Sequence, residues 1–140
     1  MFGNTKSRYI KEIEASNIII NGYNDVGGII GLRTLITIEE LNDLVIKDSD
    51  INGNNYVGGI WGATSGNGYI VQDIEVTNCK VEGNSNIGGI AGSSGYNSYA
   101  INNVKIKESK IIGVTERIGG VFGTGGNLNN GLVQDSEIIA

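Results

Sequence analysis

Four copies of G-G-[IV]-x-G, each preceded by Val or Ile, stand at Gly27–Gly31, Gly58–Gly62, Gly88–Gly92 and Gly119–Gly123. Their intervals of 31, 30 and 31 residues define one supersecondary unit copied in tandem. A unit of this length cannot bury its apolar face until neighbours stack on it. The motif glycines are therefore structural: Gly27, Gly28 and Gly31, Gly58, Gly59 and Gly62, Gly88, Gly89 and Gly92, and Gly119, Gly120 and Gly123. Each is expected to supply φ > 0 or a close approach of backbones.

Setting the motifs in register brings other residues into columns. One reads Ile13, Ile46, Val76, Ile106, Ile138 and a second Ile18, Ile51, Val81, Ile111. A third reads Val26, Val57, Ile87, Ile118 and a fourth Ile29, Ile60, Ile90, Val121. Ile and Val are β-formers, and with 23 Gly and no Pro the composition is that of short strands joined by tight turns. Within "IEVTNCKVEG" (Ile74 to Gly83) apolar and polar residues alternate, break phase, and alternate again, as a strand, a corner and a second strand do. Small residues, Ser16, Ser49, Cys79 and Ser109, fall at the break, where an inward hydroxyl can accept a backbone N–H.

The predicted fold is all-β: a right-handed parallel β-helix, or β-solenoid, of four to five coils of about 30 residues. As one domain it divides at about 9–43, 44–73, 74–103 and 104–135, with a partial fifth coil over 136–140. "LVQDSE" at Leu132–Glu137 matches "IVQDIE" at Ile70–Glu75 and restarts the unit. The stretches Ala63–Asp73 and Ser93–Asn103, rich in Gly, Ser and Asn, read as return loops. In the first repeat, Thr37 followed by Glu40 fits a capping box for one helical turn, or a variant return loop in a terminal repeat. In-register stacking also predicts alternating charge along exposed columns. Glu75, Lys105 and Glu137 fit, as do Glu14 before Lys47 and Asp50 before Lys80; Lys80 before Lys110 does not.

Composition narrows the function classes. The net charge is −5 and the 10 basic residues are dispersed, so no concentrated basic face is expected for nucleic acid. No apolar run reaches the length of a membrane span, and Met1–Lys11 does not read as a signal peptide. The single Cys79 has no partner for an internal disulfide and reads as a small buried side chain.

The four motifs, GIIG, GIWG, GIAG and GVFG with a further Gly before each, resemble the GLUG repeat. That repeat occurs in bacterial secreted and cell-wall-attached proteins, among them non-catalytic regions of immunoglobulin-A peptidases. The resemblance covers Ile13 to Ala140. It implies a β-solenoid and an extracellular or surface setting, and no particular ligand.

Active-site chemistry finds little to work with. There is no His, which removes the HExxH zinc site and the Ser-His-Asp and Cys-His arrangements. Asp48-Ser49-Asp50-Ile51-Asn52-Gly53 opens like a calcium loop, but Gly59 stands where the twelfth-position Glu belongs, so it reads as a turn. "GATSGNG" and "GTGGN" lack the Lys-Ser/Thr of a phosphate loop. Asp48, Asp50, Asp73, Glu75 and Glu82 form no repeated carboxylate pair for glycoside hydrolysis. Neither metal nor cofactor is expected.

Tyr56, Trp61, Tyr69, Tyr96, Tyr99 and Phe122 are the aromatics that could stack on a sugar. Trp61 shares the variable motif slot with Ile30, Ala91 and Phe122, and a slot tolerating Ala and Trp is expected near the surface. Trp61, Tyr69, Tyr99 and Phe122 are the candidate ligand-facing residues. The leading expectation is a non-enzymatic structural or adhesive module. The alternatives are a subunit stacking head-to-tail through open coil edges and a glycan-binding module, so the expected partners are the chain itself or a surface glycan or protein.

Overall fold

A computed structural model describes residues 2–6, 9–34, 39–65, 69–95 and 101–140; the side chains of Glu39 and Tyr69 are outside that description. The described chain is all strand. It opens with β1 (Phe2–Thr5), and four strands follow per turn. The first turn is β2 (Tyr9–Ser16), β3 (Ile19–Asn21), β4 (Asn24–Gly27) and β5 (Ile30–Thr34). The second is β6 (Glu39–Lys47), β7 (Asp50–Asn52), β8 (Asn55–Gly58) and β9 (Trp61–Ser65). The third is β10 (Tyr69–Thr77), β11 (Lys80–Glu82), β12 (Ser85–Gly88) and β13 (Ala91–Ser93). The fourth is β14 (Ile101–Lys107), β15 (Lys110–Ile112), β16 (Ile118–Gly119) and β17 (Phe122–Thr124). Strands β18 (Gly131–Gln134) and β19 (Glu137–Ile139) begin another.

Each strand pairs in parallel with its counterparts one turn away. Four sheets result: β2-β6-β10-β14-β18, β3-β7-β11-β15-β19, β4-β8-β12-β16 and β1-β5-β9-β13-β17. This is a β-solenoid of about four turns. Its repeat follows from the ladder: pairing of successive turns satisfies the backbone, and side chains of alternate residues meet inside.

The stacked Ile/Val columns form a large part of the core, beside the buried Leu41, Leu44, Trp61, Val71, Ile74, Ile101 and Val104. Ile46, Val76 and Ile106, Ile51, Val81 and Ile111, Val57 and Ile87, and Ile60 and Ile90 are all fully buried. The third and fourth predicted columns hold along their whole length, with Val26, Val57, Ile87 and Ile118 in register and Ile29, Ile60, Ile90 and Val121 linked N–H to C=O in series.

The first two columns are corrected at their ends. Ala15, not Ile13, lies beside Ile46, and Ile13 lies beside Leu44. Ile20, not Ile18, lies beside Ile51. Val133 lies beside Ile106, and Ile138 joins the Ile111 column. The last shift has a simple cause: the side-chain bonds from Asn129 to Asn102 and from Asn130 to Asn103 span 27 residues, not about 30. "LVQDSE" therefore stacks on "KIKESK" at Lys105–Lys110 rather than repeating "IVQDIE". Glu137 accordingly meets Lys110, at 3.0 Å, and not Lys105. The like-charged neighbours Lys80 and Lys110 each have an acidic partner, since Lys80 pairs with Glu82 on its own strand. Lys47 and Glu14 pair at 2.9 Å, on a diagonal between columns.

The return segments are less loop-like than predicted. Residues 61–65 and 69–77 are strands, so the described part of the return is mostly sheet. Glu40 lies in β6 and not in a helical turn; Thr37 lies outside the described residues.

Corners are built from a feature that the glycine motif does not reveal. Non-glycine residues with positive φ recur one per turn in three rows. They are Glu12, Asp43, Asp73, Asn103; Asn17, Asp48, Asn78, Glu108, Asp135; and Asp25, Tyr56, Asn86, Arg117. Asn and Asp tolerate the left-handed region better than other side chains. The motif glycines serve close approach instead, with φ outside that region. A Cβ at Gly58 would lie 2.2 Å from the Trp61 carbonyl, and one at Gly59 would lie 2.2 Å from the Gly89 carbonyl of the next turn.

Candidate functional site

The first sheet carries an outer concavity. Its long strands bend at the positive-φ residues Asp43, Asp73 and Asn103, and the bend turns those side chains outward. Residues two positions on, Val45, Glu75, Lys105 and Leu132, form a second outward row. Between the rows the buried residues Leu44, Ile74 and Val104 point inward. What remains outside is a groove of about 410 Å³, running across four turns.

The groove's polar row is internally ordered. Asn103 donates from Nδ2 to Asp73 Oδ1 at 3.0 Å, and Asn130 donates from Nδ2 to Asn103 Oδ1 at 2.9 Å. Stacked at the inter-strand spacing of about 4.8 Å, these groups place an Asp or Asn at every turn of the groove. Asp43 and Asp73 are adjacent carboxylates in this row. In the second row Glu75 sits directly beside Lys105 and accepts a hydrogen bond from Thr77 Oγ1 at 2.9 Å. Val45 and Leu132 leave apolar surface at the two ends, and Leu132 is 44% exposed.

The sequence-predicted aromatic row does not form on this surface. Trp61 is fully buried, and its Nε1 donates to the Ser93 carbonyl at 3.2 Å. The expectation of a surface slot fails because Ala91, its in-register neighbour in the next turn, is small enough to leave room for the indole. Ile30 and Ala91 in the same column are also fully buried, and Phe122 is partly buried against the core. Tyr96, Tyr99 and the Tyr69 side chain lie outside the described residues.

Of the five carboxylates considered from the sequence, Asp73 and Glu75 line the groove, and Asp48, Asp50 and Glu82 lie outside it. Asp48 occupies a corner and accepts from Asn78 Nδ2 at 2.6 Å, while Asp50 and Asn52 stand on β7. The calcium-like stretch thus runs as corner and strand instead of wrapping a centre. Among the described residues no group of three or more His, Cys, Asp or Glu could hold a metal ion.

The small-residue column serves the corner as predicted, with one change of member. Ser49 Oγ accepts from Ile18 N, Ser109 Oγ from Cys79 N and Ser136 Oγ from Ser109 N, at 3.1–3.2 Å. Each hydroxyl also donates to the carbonyl two residues before it, on Lys47, Lys107 and Gln134. Ile18, not Ser16, begins the column. Cys79 is buried within it, and burial pushes its thiol pKa up to about 11.

Asp43, Asn103 and Asn130 were not singled out by sequence reasoning. Their signal is an Asx residue recurring just before the inward residue that opens each strand's second half. It is faint because Glu12 occupies the same row in the first turn. Compared with protein-family models, curated protein sequences and solved structures, the chain matches none. No helix among the described residues is long and apolar enough to cross a membrane.

Proposed function

We propose that the chain is a non-enzymatic structural and presenting module, a β-solenoid rod from a bacterial surface or secreted protein. The observation that supports this most is the uninterrupted register of its sheets. Fully buried Ile/Val columns hold the turns together, and the outward residues are left free to vary without altering the frame. The GLUG-like motifs support the extracellular setting. Such a rod holds other domains apart and offers long lateral faces to a partner.

Three measurements test the reading. Duplicating residues 39–100, two whole turns, should lengthen the particle by about 10 Å in solution scattering, from two strand spacings, with strand content per residue unchanged. Loss of the fold on duplication would count against a modular rod. Incubation with polysaccharide and peptide libraries should release no product. Turnover that disappears in Asp73→Asn would overturn the non-enzymatic assignment. Light scattering across a concentration series separates the rod from head-to-tail self-association, for which the last turn's Val133 and Ile138, 40% and 49% exposed, would supply apolar contact.

A further inference from the structure

The geometry points to the groove of the first sheet as a binding site for a linear glycan bearing protonated amino groups. The inference goes beyond the rod reading and does not depend on it. Shape is the first argument: the groove crosses four turns along the solenoid axis, and its polar row repeats at every turn, which suits an extended polymer better than a compact molecule. Charge is the second. Three carboxylates, Asp43, Asp73 and Glu75, line it against one basic residue, Lys105, which stands in register beside Glu75 on the neighbouring strand. Asp43 and Asp73 are thus neighbours with no basic residue in the lining next to them. A cation placed between them relieves the repulsion of like charges across the ladder.

Hydrogen-bond chemistry is the third argument. Asn103 and Asn130 already donate along the row, which fixes the orientation of their amides. What the row turns outward is mainly acceptor: the second carboxylate oxygen of Asp73, both oxygens of Asp43, and the Asn130 carbonyl, which ends the hydrogen-bonded chain. A polymer of amino sugars carries hydroxyl and ammonium donors on every ring, and so can meet the acceptors of Asp43, Asp73 and Asn130 along the groove. Val45 and Leu132 offer apolar surface to the C–H faces of the rings. A basic peptide matches less well, because extended chain turns only alternate side chains to one face.

The test uses the intact chain and glucosamine oligomers of five to six rings, followed by amide chemical-shift perturbation. Binding is expected to move the backbone amides around Asp43, Asp73, Asn103 and Asn130. Fully N-acetylated oligomers of the same length should bind at least tenfold more weakly. The double variant Asp43→Asn with Asp73→Asn keeps side-chain shape and left-handed tolerance, and should lose at least tenfold in affinity for the amino form. Glu116→Gln, an exposed charge change outside the groove, should leave affinity unchanged. Absence of binding, shifts spread over the whole acidic surface, an equal loss in Glu116→Gln, or equal occupancy of the groove by oligolysine would each overturn the proposal.

Discussion

Replacing Trp61 by Ala tests the packing of the solenoid interior at its most heavily loaded point. Truncating a buried Trp costs about 3–5 kcal/mol, the value depending on how far the site collapses. Here collapse is restricted. Ladders to Ile30 on one side and Ala91 on the other fix the backbone of β9, and the methyl group of Ala91 is too short to fill the space. The cost should therefore fall in the upper part of that range, about 4–5 kcal/mol. Loss of the Nε1 donor to the Ser93 carbonyl adds about 1 kcal/mol if water does not replace it. Trp61→Phe retains an aromatic ring and should lose roughly half as much as Trp61→Ala, chiefly through the missing donor and a smaller void. Equilibrium urea unfolding followed by far-ultraviolet circular dichroism gives the comparison, provided the denaturant slope is common to all variants. A fall in slope would show partial unravelling of turns instead of whole-chain unfolding. If Trp61→Ala costs under about 1 kcal/mol while Ile90→Ala costs about 2–5 kcal/mol, the account of the variable slot as core is wrong. Trp61 is the sole tryptophan, so its native fluorescence should also be blue-shifted and resist acrylamide quenching.

Gly59→Ala brings a Cβ to 2.2 Å from the Gly89 carbonyl and should destabilise by about 3 kcal/mol or more in the same urea assay; Gly3→Ala meets nothing within 4 Å and should change stability by under about 0.5 kcal/mol. Ser109→Ala leaves Cys79 N and the Lys107 carbonyl without their partner and should cost about 1–3 kcal/mol. Cys79→Ser restores the hydroxyl found elsewhere in that column and should be within about 0.5 kcal/mol of the parent; a loss matching Ser109→Ala would refute equivalence of the column positions. The native thiol should react with a disulfide reagent at pH 8 only as fast as the chain opens. Its raised pKa also sets a pH window. Both states hold the proton below the thiol's ordinary value of 9.0, whereas between 9.0 and about 11 the unfolded chain loses it first. This contribution to stability should therefore decline as pH rises through that window, and Cys79→Ser should remove the thiol's part of the decline.

The glycine motif made the middle of each turn legible from sequence because its spacing varies by one residue and its flanking Val and Ile occupy one face. The Val26 and Ile29 columns follow from it directly. Register was harder to read at the two ends. Three consecutive isoleucines, Ile18 to Ile20, offer the pattern a choice of phase, and the structure takes Ile20. A shorter return before β18 moved the six residues of "LVQDSE" against a different segment, a slip that residue similarity concealed. Arg33, only 2% exposed on β5, had no signal in "GLRTL" to mark it as interior. The groove lacks a sequence signal for a related reason. Aromatics are the residues that mark a sugar site, and Trp61 is core, whereas the ordered surface row is Asp and Asn placed by backbone conformation.

In-register pairing also has a mechanical meaning. Strands β1 to β4 form one end of the stack and β16 to β19 the other, so tension applied through the two ends of the chain acts along the solenoid axis. The inter-turn hydrogen bonds lie along that same direction and would open one after another, as in a zipper, instead of sharing the load as in shear. Each released turn of about 30 residues adds roughly 100 Å of extended chain. Under a pulling force the rod should yield as a staircase of nearly equal lengths, a molecular shock absorber whose step is set by the spacing of the glycine motif.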